Sequence, residues 1–131
     1  MIFVDTGAWY ASVMPSDPNH AAAAQWLSAN QLPLLTTDYV IDETLTLLKA
    51  RGHAARAIAL GQELFGKQQD CIHYLMPHEI DEAWQTFNRF RDKDWSFTDC
   101  TSKVAIEKRG IATAFAFDKH FRQFGTVSVL P

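Results

Sequence analysis

The sequence predicts a three-layer α/β/α sandwich around a mainly parallel central sheet. Short apolar runs alternate along the chain with longer segments of helical character, the pattern of successive βαβ units. The first run, Ile2-Phe3-Val4, has no polar face, so a strand made of it must be covered on both sides. Two such runs end directly in an aspartate, Asp5 and Asp118, where a strand gives way to a turn.

The elements follow in order. Ile2-Phe3-Val4 is the first strand and stops at Asp5-Thr6-Gly7; Ala8 to Met14 makes two helical turns. Ser16-Asp17-Pro18 offers a cap with proline at the first helical position, opening a helix through Ala21 to Leu27. Pro33 to Thr36 is the second strand, Asp38 caps a helix running to Arg51 and stopped by Gly52, and Ala54 to Phe65 forms the next helix before Gly66. Ile72 to Leu75 is a third strand. After Pro77, Glu79, Asp81 and Glu82 open a helix that ends with Arg89 and Arg91, a charge order that complements the helix dipole. Asp92 to Phe97 is a loop, Ser96 or Thr98 caps a helix to Arg109, Ile111 to Phe117 is a strand, and Val127 to Val129 is a weak last one.

With 131 residues, the chain fits one domain spanning 1–131. Its 47% hydrophobic and 21% charged residues support a core without help from disulfides. Cys71 and Cys100 lack ligand spacing and are expected as small core residues. No basic leader and no apolar run approaching the ~20 residues of a membrane span follows Met1, which makes the cytoplasm the expected compartment.

A net charge of -3 rules out binding nucleic acid through a globally basic surface. The charge is uneven: Met1 to Leu48 carries Asp5, Asp17, Asp38, Asp42 and Glu43 and no Lys or Arg. Carboxylates without counter-charge nearby in sequence invite a cation.

In open α/β sheets ligands bind outside the carboxyl ends of the strands, the edge that Asp5 and Asp118 occupy. Each aspartate also suits a plain turn cap, but two at equivalent positions favour a shared site. On the helix from Asp38, Val40, Ile41, Thr44, Leu45, Leu47 and Leu48 share an arc, Asp42 lies opposite, and Glu43 sits at the border. Asp99 opens its helix beside Trp95 and Phe97, with Asp92 and Asp94 close in sequence. Carboxylates ~4 Å apart repel by ~4 kcal/mol at an effective dielectric of ~20, so gathering them requires a shared proton or a divalent cation. Oxygen-only ligands select Mg2+ or Mn2+.

These segments resemble the PIN-domain family, specifically its VapC-like ribonuclease toxins, along the whole chain. The motifs are Phe3-Val4-Asp5-Thr6, Asp42-Glu43-Thr44-Leu45, Trp95-Ser96-Phe97-Thr98-Asp99-Cys100 and Phe117-Asp118-Lys119-His120-Phe121. Gly7 departs from the serine many members carry there. The resemblance implies a Mg2+- or Mn2+-dependent endoribonuclease with Asp5, Glu43, Asp99 and Asp118 as metal and catalytic residues. It also implies a dimer and inhibition by a small VapB-like antitoxin. The charge-free stretches Ala21 to Leu27 and Leu45 to Leu48 point to helices of the N-terminal half as the dimer surface, with the antitoxin tail expected along a groove leading to the acidic pocket. On that reading Asp5 and Asp99 bind the metal most directly.

Competing readings are a catalytically silent PIN module that binds RNA or protein, and a receiver-like phosphotransfer domain, which would need an acidic neighbour to Asp5. Asp5-Thr6-Gly7-Ala8 also resembles the loop of retroviral-type aspartic proteases, a short and weak match that the long helices here argue against, since those proteases are nearly all β. The five histidines, His20, His53, His73, His78 and His120, show no ligand spacing and are expected in surface or packing roles. Lys119 and Arg122, close to Asp118, suit RNA phosphates.

Overall fold

The computed structural model describes Met1–Pro131. Its strands are β1 (Ile2–Val4), β2 (Leu34–Thr37), β3 (Ile72–His73), β4 (Thr113–Phe115) and β5 (Ser128–Leu130), paired in parallel in the order β3-β2-β1-β4-β5. Seven helices surround the sheet: α1 (Thr6–Val13), α2 (His20–Ala29), α3 (Asp38–Ala50), α4 (Ala54–Phe65), α5 (Pro77–Arg89), α6 (Phe97–Lys108) and α7 (Lys119–Gln123). Every residue of β1 is buried, although successive side chains point to opposite faces, so the sheet is covered on both sides. The α/β fold class read from the strand pattern holds.

The strand order puts a switch point at the middle of the sheet. From β1 the chain proceeds outward to β2 and β3, then returns to the other flank as β4 and β5. Val4 pairs with Phe115 at the last rung, which sets the residues that follow β1 and β4 side by side at the carboxyl edge. That is the crevice in which such folds bind ligands.

Several boundaries differ from the sequence expectation. Pro18 does not open α2: the Asp17 carboxylate accepts the Asn19 N–H at 2.8 Å, an Asx-type turn that holds Pro18 outside the helix until His20. Thr37, not Asp38, caps α3, accepting the Val40 N–H at 3.1 Å. Asp38 is then free to accept the Leu75 N–H at 3.0 Å, tying the start of α3 to the segment after β3. β3 ends at His73, two residues before the expected end at Leu75, where this bond is made. Between β4 and β5 lies the unanticipated short helix α7, anchored by Phe121, which is fully buried and stacks on Phe3 with ring centroids 6.0 Å apart. No helix is long and apolar enough to cross a membrane.

Candidate metal and RNA-cleavage site

Local sequence places each carboxylate. Asp5 leaves β1 at the N-terminus of α1, in extended backbone and 4% exposed. Its acidity is the most perturbed of the four: burial is the main cause, Asp99, Glu43 and Asp118 add repulsion, and its pKa rises to about 8. Only the Thr6 backbone N–H acts in the opposite direction, and no Lys or Arg compensates. Glu43 projects from the half-buried border of α3, next to buried Thr44.

Asp99 is set by the start of α6. Ser96 caps this helix, accepting the Asp99 N–H at 3.0 Å, while Asp99 Oδ2 accepts the Ser96 N–H at 3.0 Å. This is a capping box built around an acid. Burial raises the Asp99 pKa; the Ser96 N–H and His120 lower it, and Asp118 adds repulsion. Asp118 is the exposed member: it caps α7 through Oδ1, which accepts the His120 N–H at 2.9 Å.

Two contacts clamp α7 to the start of α6 and bring these acids together. The Trp95 indole N–H donates to Gln123 Oε1 at 2.8 Å, and its ring meets Phe124 edge-on at 5.0 Å. His120 then lies between the acids, with Nδ1 2.8 Å from Asp99 Oδ2 and 3.2 Å from Asp118 Oδ1. This corrects the expectation of a surface or packing role for His120. Its position inside the Phe117–Phe121 motif was visible, but a contact with a residue 21 positions earlier has no signature in spacing.

The remaining carboxylates stand apart from this cluster in chemistry. Asp42 and Asp94 are exposed, and Asp38 is engaged with Leu75. His73 is likewise not a bystander: its Nε2 lies 2.9 Å from buried Glu79, and Arg109 Nη2 reaches its Nδ1 at 2.7 Å, a separate network joining β3, α5 and the end of α6.

The acid set matches a hard divalent cation in its chemistry. The donors are all carboxylate oxygens, the deepest lacks a counter-charge, and both Asp99 and Asp118 spend one oxygen on protein hydrogen bonds and keep the other free. The side chains form no group of three or more metal-capable residues.

Comparison with known proteins agrees with this architecture. The PIN domain profile matches residues 2–127. The chain is 33% identical to the 23S rRNA-specific endonuclease VapC20 of Mycobacterium tuberculosis over 132 aligned positions, covering 100% of this chain and 99% of that protein. It is 23% identical to Ribonuclease VapC26 of the same species, over 92% of this chain and 89% of that protein. The crystal structure of VapC20, described as a sarcin-ricin loop cleaving toxin, superposes with a TM-score of 0.91 at 30% identity, covering both chains fully. FitAcB of Neisseria gonorrhoeae shares the fold, with a TM-score of 0.72 at 15% identity over 100% of this chain and 97% of that one. The chain belongs to the PIN-domain family, in its VapC-like branch.

Proposed function

We propose that this protein is a Mg2+- or Mn2+-dependent endoribonuclease, the toxin of a toxin-antitoxin pair, working in the cytoplasm as a single catalytic domain. The observation that carries this reading is Asp5: a buried carboxylate, pushed to about 8, among three other acids and without a cationic partner. RNA is a polyanion, and an acidic crevice repels it unless a divalent ion lies between. A bound ion would supply charge neutralisation and a water of lowered pKa. In this reading Asp5 and Asp99 hold it, and Glu43 and Asp118 complete the acidic rim. Lys119 and Arg122, exposed on the short helix that Asp118 caps, are the cations this reading assigns to the flanking phosphates. On the likeness to VapC20, the substrate class is a structured ribosomal RNA loop.

For the partners, the reading rests on exposed apolar surface. α5 presents Trp84 and Phe87, 58% and 39% exposed, and their rings continue through Phe97 to Tyr39 at spacings of 5.9 to 6.1 Å. A second copy of this chain is the occupant we assign to that face, in place of the N-terminal helices expected from the charge-free stretches. A separate groove of about 320 Å³ between α3 and α4, lined by Leu45, Ala57 and Ile58 and by none of the four acids, suits an apolar segment of a VapB-like antitoxin.

The deciding experiment is cleavage of a ribosomal RNA hairpin by the purified protein with Mg2+, with Mn2+ and with EDTA. Cleavage that requires the ion and disappears in Asp5→Asn supports the proposal. EDTA-resistant cleavage, or an ion-dependent Asp5→Asn as active as the parent, would overturn it.

A further inference from the structure

We propose that His120 is a positioning residue of the acid site, a donor strut that aims Asp99 and Asp118 at a common divalent ion. The inference rests on the metal-site reading above and adds a residue to it.

The argument begins with which oxygens are engaged. Asp99 uses Oδ2 for both of its protein partners, the Ser96 N–H at 3.0 Å and His120 Nδ1 at 2.8 Å. Asp118 Oδ1 accepts the His120 backbone N–H at 2.9 Å, and His120 Nδ1 lies within ion-pair range of the same oxygen at 3.2 Å. Both bridges come from one residue, and both leave the opposite oxygen, Asp99 Oδ1 and Asp118 Oδ2, without a protein donor. With the Asp99 and Asp118 carboxylates both near Nδ1, that nitrogen carries the proton and donates it to Asp99 Oδ2. Carboxylates that ligate metals are held in this way by outer hydrogen bonds, which fix their rotamers before the ion arrives.

The imidazole itself has little freedom. Its side chain is only 16% exposed, and the next residue, Phe121, is locked into the core against Phe3 and Phe124. The Trp95–Gln123 hydrogen bond fixes the same helix to the turn before Asp99. His120 therefore belongs to a rigid bridge, and Asp118, otherwise an exposed turn residue, acquires a defined direction through it. The imidazole also supplies a polar donor against two like charges that would otherwise splay.

The test is Mn2+ binding at one fixed pH, read by the electron paramagnetic resonance of free Mn2+, for the wild type, His120→Ala, His120→Asn and His120→Gln, with thermal melting of each. Asparagine places its Nδ2 where the histidine has Nδ1; glutamine places its amide at the Nε2 position and alanine has no donor. The expected result is affinity weakened about 10- to 100-fold in His120→Ala and His120→Gln, and largely restored in His120→Asn. If His120→Ala does not fold, the Asn and Gln pair decides the matter alone. Folded Ala or Gln variants that bind Mn2+ as the wild type does would overturn the strut, as would Asn and Gln equally impaired. A wild type that binds no Mn2+ would instead overturn the metal-site reading beneath it.

Discussion

Ser96 and Asp99 cap each other at the head of α6, each accepting the other's backbone N–H at 3.0 Å. One side chain thus closes a helix end and presents a charge to the crevice, and the two roles separate by substitution. Ser96→Ala removes the hydroxyl cap and costs about 1 kcal/mol of stability, while the Asp99 charge remains. Asp99→Asn keeps an oxygen for the Ser96 N–H but deletes the charge. We expect Asp99→Asn to abolish ion-dependent cleavage and Ser96→Ala to keep most of it, measured as initial rates beside melting curves. Exposed Asp42→Asn and Asp94→Asn are controls that retain activity.

The metal-free protein should lose stability as pH rises. Asp5 titrates near 8 when folded and near 3.8 in the unfolded chain, so between those values the folded state retains a proton that the unfolded state releases. Its favourable contribution is complete below about 4 and is lost as pH climbs through about 8, with a slope of at most about 1.4 kcal/mol per pH unit. Urea unfolding at pH 5 and pH 8 in EDTA measures it. Asp5→Asn should flatten the dependence and be more stabilising at pH 8 than at pH 5; an unchanged slope in this variant would assign it to other groups.

Glu79 shows the opposite sign. Burial alone would raise its pKa, but the Met76 N–H and His73 outweigh burial and hold it below the usual carboxylate range. Its stabilisation is therefore present above the unfolded pKa and is lost as pH falls through the folded one. Glu79→Ala leaves the Met76 N–H and His73 without their acceptor and should cost about 1.5 to 3 kcal/mol. Because this network is separate from the acid cluster, RNA cleavage below the melting temperature should be retained; an assay at 20 °C checks both statements.

Trp84 and Phe87 test the assembly. Trp84→Glu places a charge on the exposed aromatic face of α5 and should leave the fold intact while halving the mass seen by light scattering at micromolar concentration. Ile58→Glu, in the α3–α4 groove, should leave that mass unchanged and weaken antitoxin binding. An unchanged mass for Trp84→Glu would move the dimer interface elsewhere.

Local chemistry wrote much of this protein into its sequence. The apolar run before Asp5, the glycines after α3 and α6, and the acid-first, base-last order of α5 each act within a few residues. These short-range preferences made the alternating α/β architecture legible. They also made Asp5, Glu43, Asp99 and Asp118 recognisable as candidates, since each stands at a strand end, a helix border or a helix start. The choice of Thr37 over Asp38 as the α3 cap lay beyond them, because Asp38 is drawn instead to the Leu75 N–H, 37 residues away. The existence of α7 depended on Phe121 finding Phe3 across the core. His120 lies next to that anchor, and only the docking of α7 on the Trp95 turn turns an ordinary surface-type histidine toward Asp99. Such contacts close loops of tens of residues and are decided by packing of the whole chain, whereas caps, turns and periodicity are decided within one or two helical turns.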